Sequence, residues 1–408
     1  MKYARHLQHL QSYLHLVVMF VLVGLACARA PETPRPSPPP VPAPTVTTTP
    51  PGPPGLADAA APTDAEASSD SGVPIDALAE AAAITVPRLT SRGVNLSGAE
   101  FGACCPGRLG LDYGYPTNAD VDLFVARGFT HLRVPFRHER LQRALRADLD
   151  PGEWTRLEAL IAYAAGRRLT VAIEPHNFAR YNGAVLNEIA MGDLWGRIAT
   201  RIAAKPYAHL VMFNLTNEPH DLTTERWLAL AQAGVREIRR VGSKAVIIVP
   251  GNAWTSAANW SSTYYGTPNS AIMQQVTDPG SVFEVHLYLD QDSSGKYASG
   301  DCVNETVGVD RLRNFVTWLK QHKRVGYLGE IGAPNTPRCR VAVTNTLRSV
   351  EAEPALWTGW AWWSAGARWR PDYQLSLQPI LVDAGGAPVF ADRPQMEWLR
   401  PFLSCGGL

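Results

Sequence analysis

Net charge is almost absent from this chain: 38 Lys and Arg stand against 37 Asp and Glu, leaving +1 over 408 residues. Such a balance exerts no electrostatic pull toward nucleic acid or an anionic membrane, and neither is expected as a partner. Cysteine is scarce, six in all, at 27, 104, 105, 302, 339 and 405. Several catalytic signatures are missing as well. No two histidines stand four apart around a glutamate, and His131 and His138, which flank Arg133, lack a cysteine or carboxylate at ligand spacing. No metal and no cofactor is therefore expected. Ser293-Ser294-Gly295 lacks the Gly-x-Ser-x-Gly elbow that exposes a serine nucleophile.

Aromatic residues are missing altogether from residues 31–87, where fifteen of the 33 prolines fall among Ala, Thr, Ser and Asp. That composition cannot bury enough apolar surface to offset chain entropy, so a disordered, partly polyproline II linker is expected there. Residues 1–30 have the make-up of an export signal. Lys2 and Arg5 precede an apolar run, Leu14 to Ala26, that is short for a membrane span, and small-x-small cleavage sites follow around Cys27. Leu25-Ala26-Cys27 also resembles a lipoprotein processing site. A secreted protein is expected, with disulfides permitted by the oxidising compartment. Loss or lipidation of Cys27 would leave an odd number of cysteines, and spacing alone does not give their pairing.

What is present begins at residue 88. All twelve tryptophans lie at or beyond Trp154. Eight short apolar runs recur at intervals of roughly thirty to forty-five residues: 92–96, 130–135, 169–173, 209–215, 245–249, 282–287, 325–328 and 358–363. Helical periodicity separates them. Trp227, Leu230, Ala231, Val235 and Ile238, for example, share one face of a helix that closes near Gly242. Uninterrupted apolar strands suit a parallel sheet covered by helices. Eight of them predict an α/β fold, a (β/α)8 TIM barrel over 88–408, in preference to a doubly wound open sheet, since no glycine-rich phosphate loop follows the first run.

In such a barrel the chemistry gathers where strands end. Asn95, Arg133, His176-Asn177, Asn217-Glu218, Trp254, His286, Tyr288, Glu330 and Trp362-Trp363 all lie at or just past the carboxyl end of a run. Taken singly, each has an ordinary structural reading: an ion-pair partner, a satisfied core histidine, a helix cap. Their common placement at one mouth is what calls for a site. Glu218 and Glu330 stand out because an unpaired charge after an apolar strand is costly. Two carboxyl groups, one protonated toward a leaving oxygen and one ionised toward an anomeric carbon, are what glycoside cleavage requires.

From Arg92 to Pro379 the sequence resembles glycoside hydrolase family 5, in particular its endo-β-1,4-glucanases. The segments that carry the likeness are Arg92-Gly93-Val94-Asn95-Leu96-Ser97-Gly98, Arg133-Val134-Pro135, His176 to Gly183, Asn217-Glu218-Pro219-His220, Pro250-Gly251-Asn252-Ala253-Trp254, Glu284 to Asp290, Gly329-Glu330 and Trp363-Ser364-Ala365-Gly366. The resemblance implies a retaining enzyme with Glu218 as acid/base and Glu330 as nucleophile, acting on β-1,4-glucan. Arg133, His176, Asn177, Asn217, Trp254, His286, Tyr288 and Trp363 are the residues it places against the substrate or the nucleophile. Trp362 alternates to the other side of its strand and is expected between barrel and helices. A bridge between Cys302 and Cys339 is implied too. Adjacent Cys104-Cys105 and the basic stretch Ala367-Arg368-Trp369-Arg370 depart from the family pattern.

The same fold acting on β-mannan or mixed-linkage glucan is the nearest rival, followed by a non-catalytic carbohydrate-binding surface protein. No stable protein partner is implied, and a monomer is expected. Retention of configuration demands carboxyl groups about 5–5.5 Å apart, against roughly 6.5–9.5 Å for inversion.

Overall fold

The computed structural model describes residues 86, 88–102, 105–383 and 388–403, all within one compact unit, Ile75–Leu408. The expected export signal, the linker up to residue 85, and the pairing of Cys27, Cys104 and Cys405 lie outside the described residues; Val86, expected in the linker, is instead buried among the residues that fill the barrel, where an apolar side chain is sheltered from water.

Eight strands close a parallel barrel: β1 (Ser91–Leu96), β2 (His131–Phe136), β3 (Thr170–Pro175), β4 (Val211–Asn214), β5 (Val246–Pro250), β6 (Ser281–Tyr288), β7 (Gly326–Gly332) and β8 (Trp357–Ala365). Each pairs with its neighbours in the chain, and β8 returns to β1 with Ser91 opposite Gly359. All eight apolar runs are strands. The outer ring comprises α1 (Asn118–Val125), α2 (Pro151–Gly166), α3 (Glu188–Ala203), α4 (Thr224–Arg240), α5 (Val307–His322), α6 (Pro337–Glu351) and α7 (Gln395–Leu403). Polar caps start several of these helices: Thr117, Asp150, Asn187, Thr223 and Thr336 each accept from the backbone N–H three residues on, satisfying a donor the helix leaves open. In α4 the expected face, Trp227, Leu230, Ala231, Val235 and Ile238, is buried, and Gly242 just beyond it adopts φ +78°.

One unit departs from the repeat. Between β5 and β6 only single turns occur, Ala257–Asn259, Asn269–Ile272 and Met273–Gln275. Gly266, Pro268 and Pro279-Gly280 interrupt that segment, so no stretch is long enough to propagate a helix. Trp254 and Tyr264 from this segment line the mouth of the barrel, while Trp260 is buried against Phe315 and Trp318.

Two cores follow from strand alternation. Val94, Leu132, Val134, Ile173, Leu328, Trp360 and Trp362 point outward into the layer between sheet and helices. Ala172, Met212, Val246, Ile248, Val282, Tyr327 and Ala361 fill the barrel itself. Trp362 is fully buried, donates from Nε1 to the Leu375 carbonyl at 2.8 Å, and meets Trp398 edge-on. Toward the carboxyl ends the inward positions turn polar: Ala172 gives way to Glu174, Met212 to Asn214, Val282 to Glu284 and then His286, Tyr327 to Glu330.

The last of these needs a break in register. Val285 pairs with Leu328 but His286 pairs with Glu330, so β7 carries an extra residue at Gly329. Leu328 and Ile331 both face outward. Strict alternation would send Glu330 out with Leu328; the bulge turns it into the mouth.

Candidate active site

Arg133, at the centre of the mouth and fully buried, organises the site. Its Nη1 donates to Glu330 Oε1 at 3.0 Å and to Asn95 Oδ1 at 2.8 Å, and its Nη2 donates to Asn217 Oδ1 at 2.9 Å. Glu174 and Glu284 flank the guanidinium at 3.4 and 3.3 Å. Burial opposes its charge, but the carboxylates of Glu174, Glu284 and Glu330 more than offset this and hold the guanidinium above its ordinary value.

Glu330 is wedged between two donors. Tyr288 donates its hydroxyl to Oε2 at 2.6 Å while Arg133 serves Oε1. Burial is the largest influence on this carboxyl and raises it above the usual glutamate value; His286 and Arg133 pull the other way. Only 3% of the Glu330 side chain is exposed, against 20% for Glu218. Glu218 thus faces the open cleft and Glu330 forms its floor.

Glu218 lies four residues past β4 with φ +34°, in the left-handed region that non-glycine residues rarely adopt. Its neighbours hold it there. The Asn217 N–H reaches the Pro175 carbonyl at 3.1 Å, and His220 Nδ1 lies 2.8 Å from the Glu218 carbonyl. No helix starts at Glu218; α4 begins six residues later, capped by Thr223. An oxygen of Glu218, an oxygen of Glu330 and a ring nitrogen of His286 all lie within 4.8 Å of one another. His286 Nδ1 is 2.8 Å from Glu218 Oε1 and 3.4 Å from Glu330 Oε2, and Nε2 is 3.2 Å from Glu284 Oε1. Burial would strip this ring of its proton, but Glu330, Glu218 and Glu284 reverse that and push it up to about 10.

His176 bonds to Glu174 Oε1 through Nδ1 at 2.7 Å, and its Nε2 lies 3.3 Å from Asn217 Nδ2. Burial opposes its charge, and Glu174, Glu100 and Glu330 together raise it above the ordinary histidine value. Trp363 stacks on the His176 ring at 5.5 Å and donates from Nε1 to Tyr373 Oη at 3.0 Å, which fixes the half-buried indole at one end of the cleft. At the other end Trp254 stacks on His220 at 5.1 Å. Ala253, Trp254 and Thr255 are all left-handed, at φ +61°, +58° and +54°. That unusual turn is pinned by Trp254 N–H to the Pro219 carbonyl and His286 N–H to the Thr255 carbonyl. Trp254, Asn259, Tyr264, Asp292 and Lys296 line a cavity of about 640 Å³ opening beside Glu218.

Arg133, His176, Asn217, Glu218, Trp254, His286, Tyr288, Glu330 and Trp363 are therefore brought together. Asn177 is not. Its side chain is buried, with Oδ1 accepting from the His138 N–H and Nδ2 donating to Glu139, so its amide is used up within the protein wall rather than aimed at the cleft. Cys302, in the loop after β6, and Cys339, in the first turn of α6, form a disulfide. Glu174, Glu284 and Asn214 are site residues the sequence reading missed. Their signal was there, an acid or amide inside an otherwise apolar strand, but an inward position is visible only once the barrel closes.

A parallel barrel whose mouth brings two carboxylates this close, one of them clasped by a guanidinium and a phenol, defines a glycoside hydrolase. Residues 89–366 match the model of cellulase, glycosyl hydrolase family 5, and the chain belongs to that family. It is 32% identical over 314 residues to endo-beta-1,4-glucanase B of Emericella nidulans, covering 74% of this chain and 92% of that protein. Among solved structures, the endo-beta-1,4-glucanase Xac0029 of Xanthomonas axonopodis pv. citri superposes with a TM-score of 0.72 at 39% identity, over 77% of this chain and 98% of that one. XacCel5A, solved in complex with cellopentaose, gives 0.72 at 36% identity, over 77% and 99%.

Proposed function

We propose that this enzyme is a retaining endo-β-1,4-glucanase, with Glu218 as general acid/base and Glu330 as nucleophile. The observation that carries the reading is that an oxygen of Glu218 and an oxygen of Glu330 lie within 4.8 Å of one another, nearer the separation of about 5–5.5 Å that double displacement uses than the roughly 6.5–9.5 Å of inversion. Glu330 attacks the anomeric carbon while Glu218 passes its proton to the departing oxygen, which forms a glycosyl-enzyme. Glu218, now ionised, takes a proton from water, and the hydroxide so formed displaces Glu330 with net retention. Arg133 and Tyr288 occupy both oxygens of Glu330 and steady its negative charge. Asn217, with its carbonyl held by Arg133, presents its amide N–H₂ toward the sugar's 2-hydroxyl. Trp363 carries the sugar being attacked, and Trp254 carries the leaving chain, since it stands on the side of the acid.

The substrate assignment draws on the relatives, named endo-β-1,4-glucanases, and on the cleft, which extends past Glu218 on the leaving side as cleavage within a chain requires. The N-terminal apolar run and the disulfide favour work outside the cell. The site is complete within the barrel, so the barrel acts without the linker. Reducing-sugar release from carboxymethylcellulose, glucomannan and barley glucan tests the substrate; NMR of freshly cut cello-oligosaccharide tests the mechanism. Preference for glucomannan, or α-anomer as first product, would overturn the corresponding part.

A further inference from the structure

Beneath the carboxylate pair runs an unbroken line of alternating charge: His176, Glu174, Arg133, Glu284, His286. Glu174 joins His176 Nδ1 at 2.7 Å to Arg133 Nη1 at 3.4 Å; Glu284 joins Arg133 Nε at 3.3 Å to His286 Nε2 at 3.2 Å. The side chains of Glu174 and Glu284 have no exposure, so neither can touch a sugar. Glu284 links the residue that serves Glu330 to the residue that serves Glu218.

We propose that Glu284 is a positioning residue that fixes His286 as a donor on both ring nitrogens, so that the proton of Glu218 sits on the carboxyl oxygen facing the leaving group. This rests on Glu218 being the acid/base. An anionic carboxylate against Nε2 requires an N–H there. Glu284 is held in that form: burial works against its charge, but Arg133, His286 and Asn214 keep its carboxyl below the ordinary range. Nδ1 then faces two further acids, Glu218 and Glu330, which favour an N–H on that side also. Around the ring, β4 and its loop contribute Glu218, β7 contributes Glu330, β6 contributes Glu284 and Tyr288, and β2 contributes Arg133 behind Glu284. The loop after β5 presents only the Thr255 carbonyl to the His286 backbone and Ser256 beside it.

With Nδ1–H of a cationic ring donated to Glu218 Oε1, one lone pair of that oxygen is taken and the nearby charge disfavours a proton there. The carboxyl proton resides on Oε2, from which it passes to the glycosidic oxygen in the first step; the attacking water returns one to Oε2 in the second. His286 and Glu284 neither gain nor lose a proton over the cycle.

The test is Glu284→Gln, which keeps shape and removes charge. On unactivated β-glucan kcat should fall about 10–100-fold, as for other residues that orient a catalytic group from behind. Formation of the glycosyl-enzyme from an aryl cellobioside with a good leaving group, which does not need the proton, should stay within a few-fold. The alkaline limb of the pH profile should move to lower pH, because His286 loses its proton sooner. Equal loss on both substrates with an unmoved pH profile would show a merely structural role and overturn the proposal. Should the variant not fold, nitrogen NMR of the wild-type His286 ring decides: both nitrogens protonated at the working pH supports it, a bare Nδ1 overturns it. Wild-type enzyme inactive on every β-glucan would instead sink the functional reading, a separate result.

Discussion

Gly329 and Glu284 compete for one place in the barrel: a Cβ at position 329 would collide with the Glu284 carboxylate. The missing side chain leaves room for a buried anion on β6, and the bulge at the same residue turns Glu330 into the mouth. Gly329→Ala should destabilise the fold by about 1–3 kcal/mol, as overpacking does. It should also cut activity, since the clash displaces Glu284 or Glu330. Urea melts paired with reducing-sugar assays check this; a variant as stable and active as wild type would mean the strand yields freely there.

Arg133 is the guanidinium shared by three buried carboxylates, Glu174, Glu284 and Glu330. Arg133→Ala takes a partner from all three, leaving them only the histidines, and removal of one partner from a buried ion pair typically destabilises by about 3–5 kcal/mol. Lysine should be little better, because a point charge cannot reach Asn95, Asn217, Glu284 and Glu330 together. Thermal melts of both variants across pH would show the loss shrinking in acid, as the stranded carboxylates take up protons.

Glu218→Gln should lower kcat on unactivated glucans by about 10²–10⁴-fold, the usual contribution of general acid/base catalysis. The first step on an aryl cellobioside with a good leaving group should survive, with glycosyl-enzyme accumulating as a burst. Equal loss on both substrates would assign Glu218 another part.

The acid limb of the wild-type pH profile should lie above 4.5, the ordinary value for a glutamate. As the proposed nucleophile, Glu330 attacks only when ionised, and burial raises its carboxyl, so the ionised form is lost on acidification sooner than for a free glutamate. The dependence of kcat/KM on pH measures this directly. A limb below 4.5 would mean that Arg133 and His286 outweigh burial.

Reduction of the Cys302–Cys339 bridge should cost about 3–4 kcal/mol in the chain-entropy model, given a separation of 37 residues. Guanidinium melts with and without reductant test it; coincident midpoints would refute it.

Much of the barrel and the proposed catalytic pair can be read from the chain alone. Eight apolar runs ending in polar residues suffice for a parallel barrel, because strands covered on both faces must be apolar along their length. Arg133, Glu218 and Glu330 are legible because a charge after such a run demands a partner. The α4 face is legible because helical spacing is local. What eluded the sequence is non-local. Nothing in the spacing assigns a facing to Glu174 or Glu284, and strict alternation counted through Leu328 would turn Glu330 away from the mouth. Asn177 stands beside His176 in the chain, yet its amide is spent on His138 and Glu139. Facing is a property of register, and register is set by which strands close on one another and where one of them carries an extra residue. Period and composition determined the barrel; closure and the Gly329 bulge decided which acids meet inside it, because a buried charge is tolerable only where the fold supplies its partner.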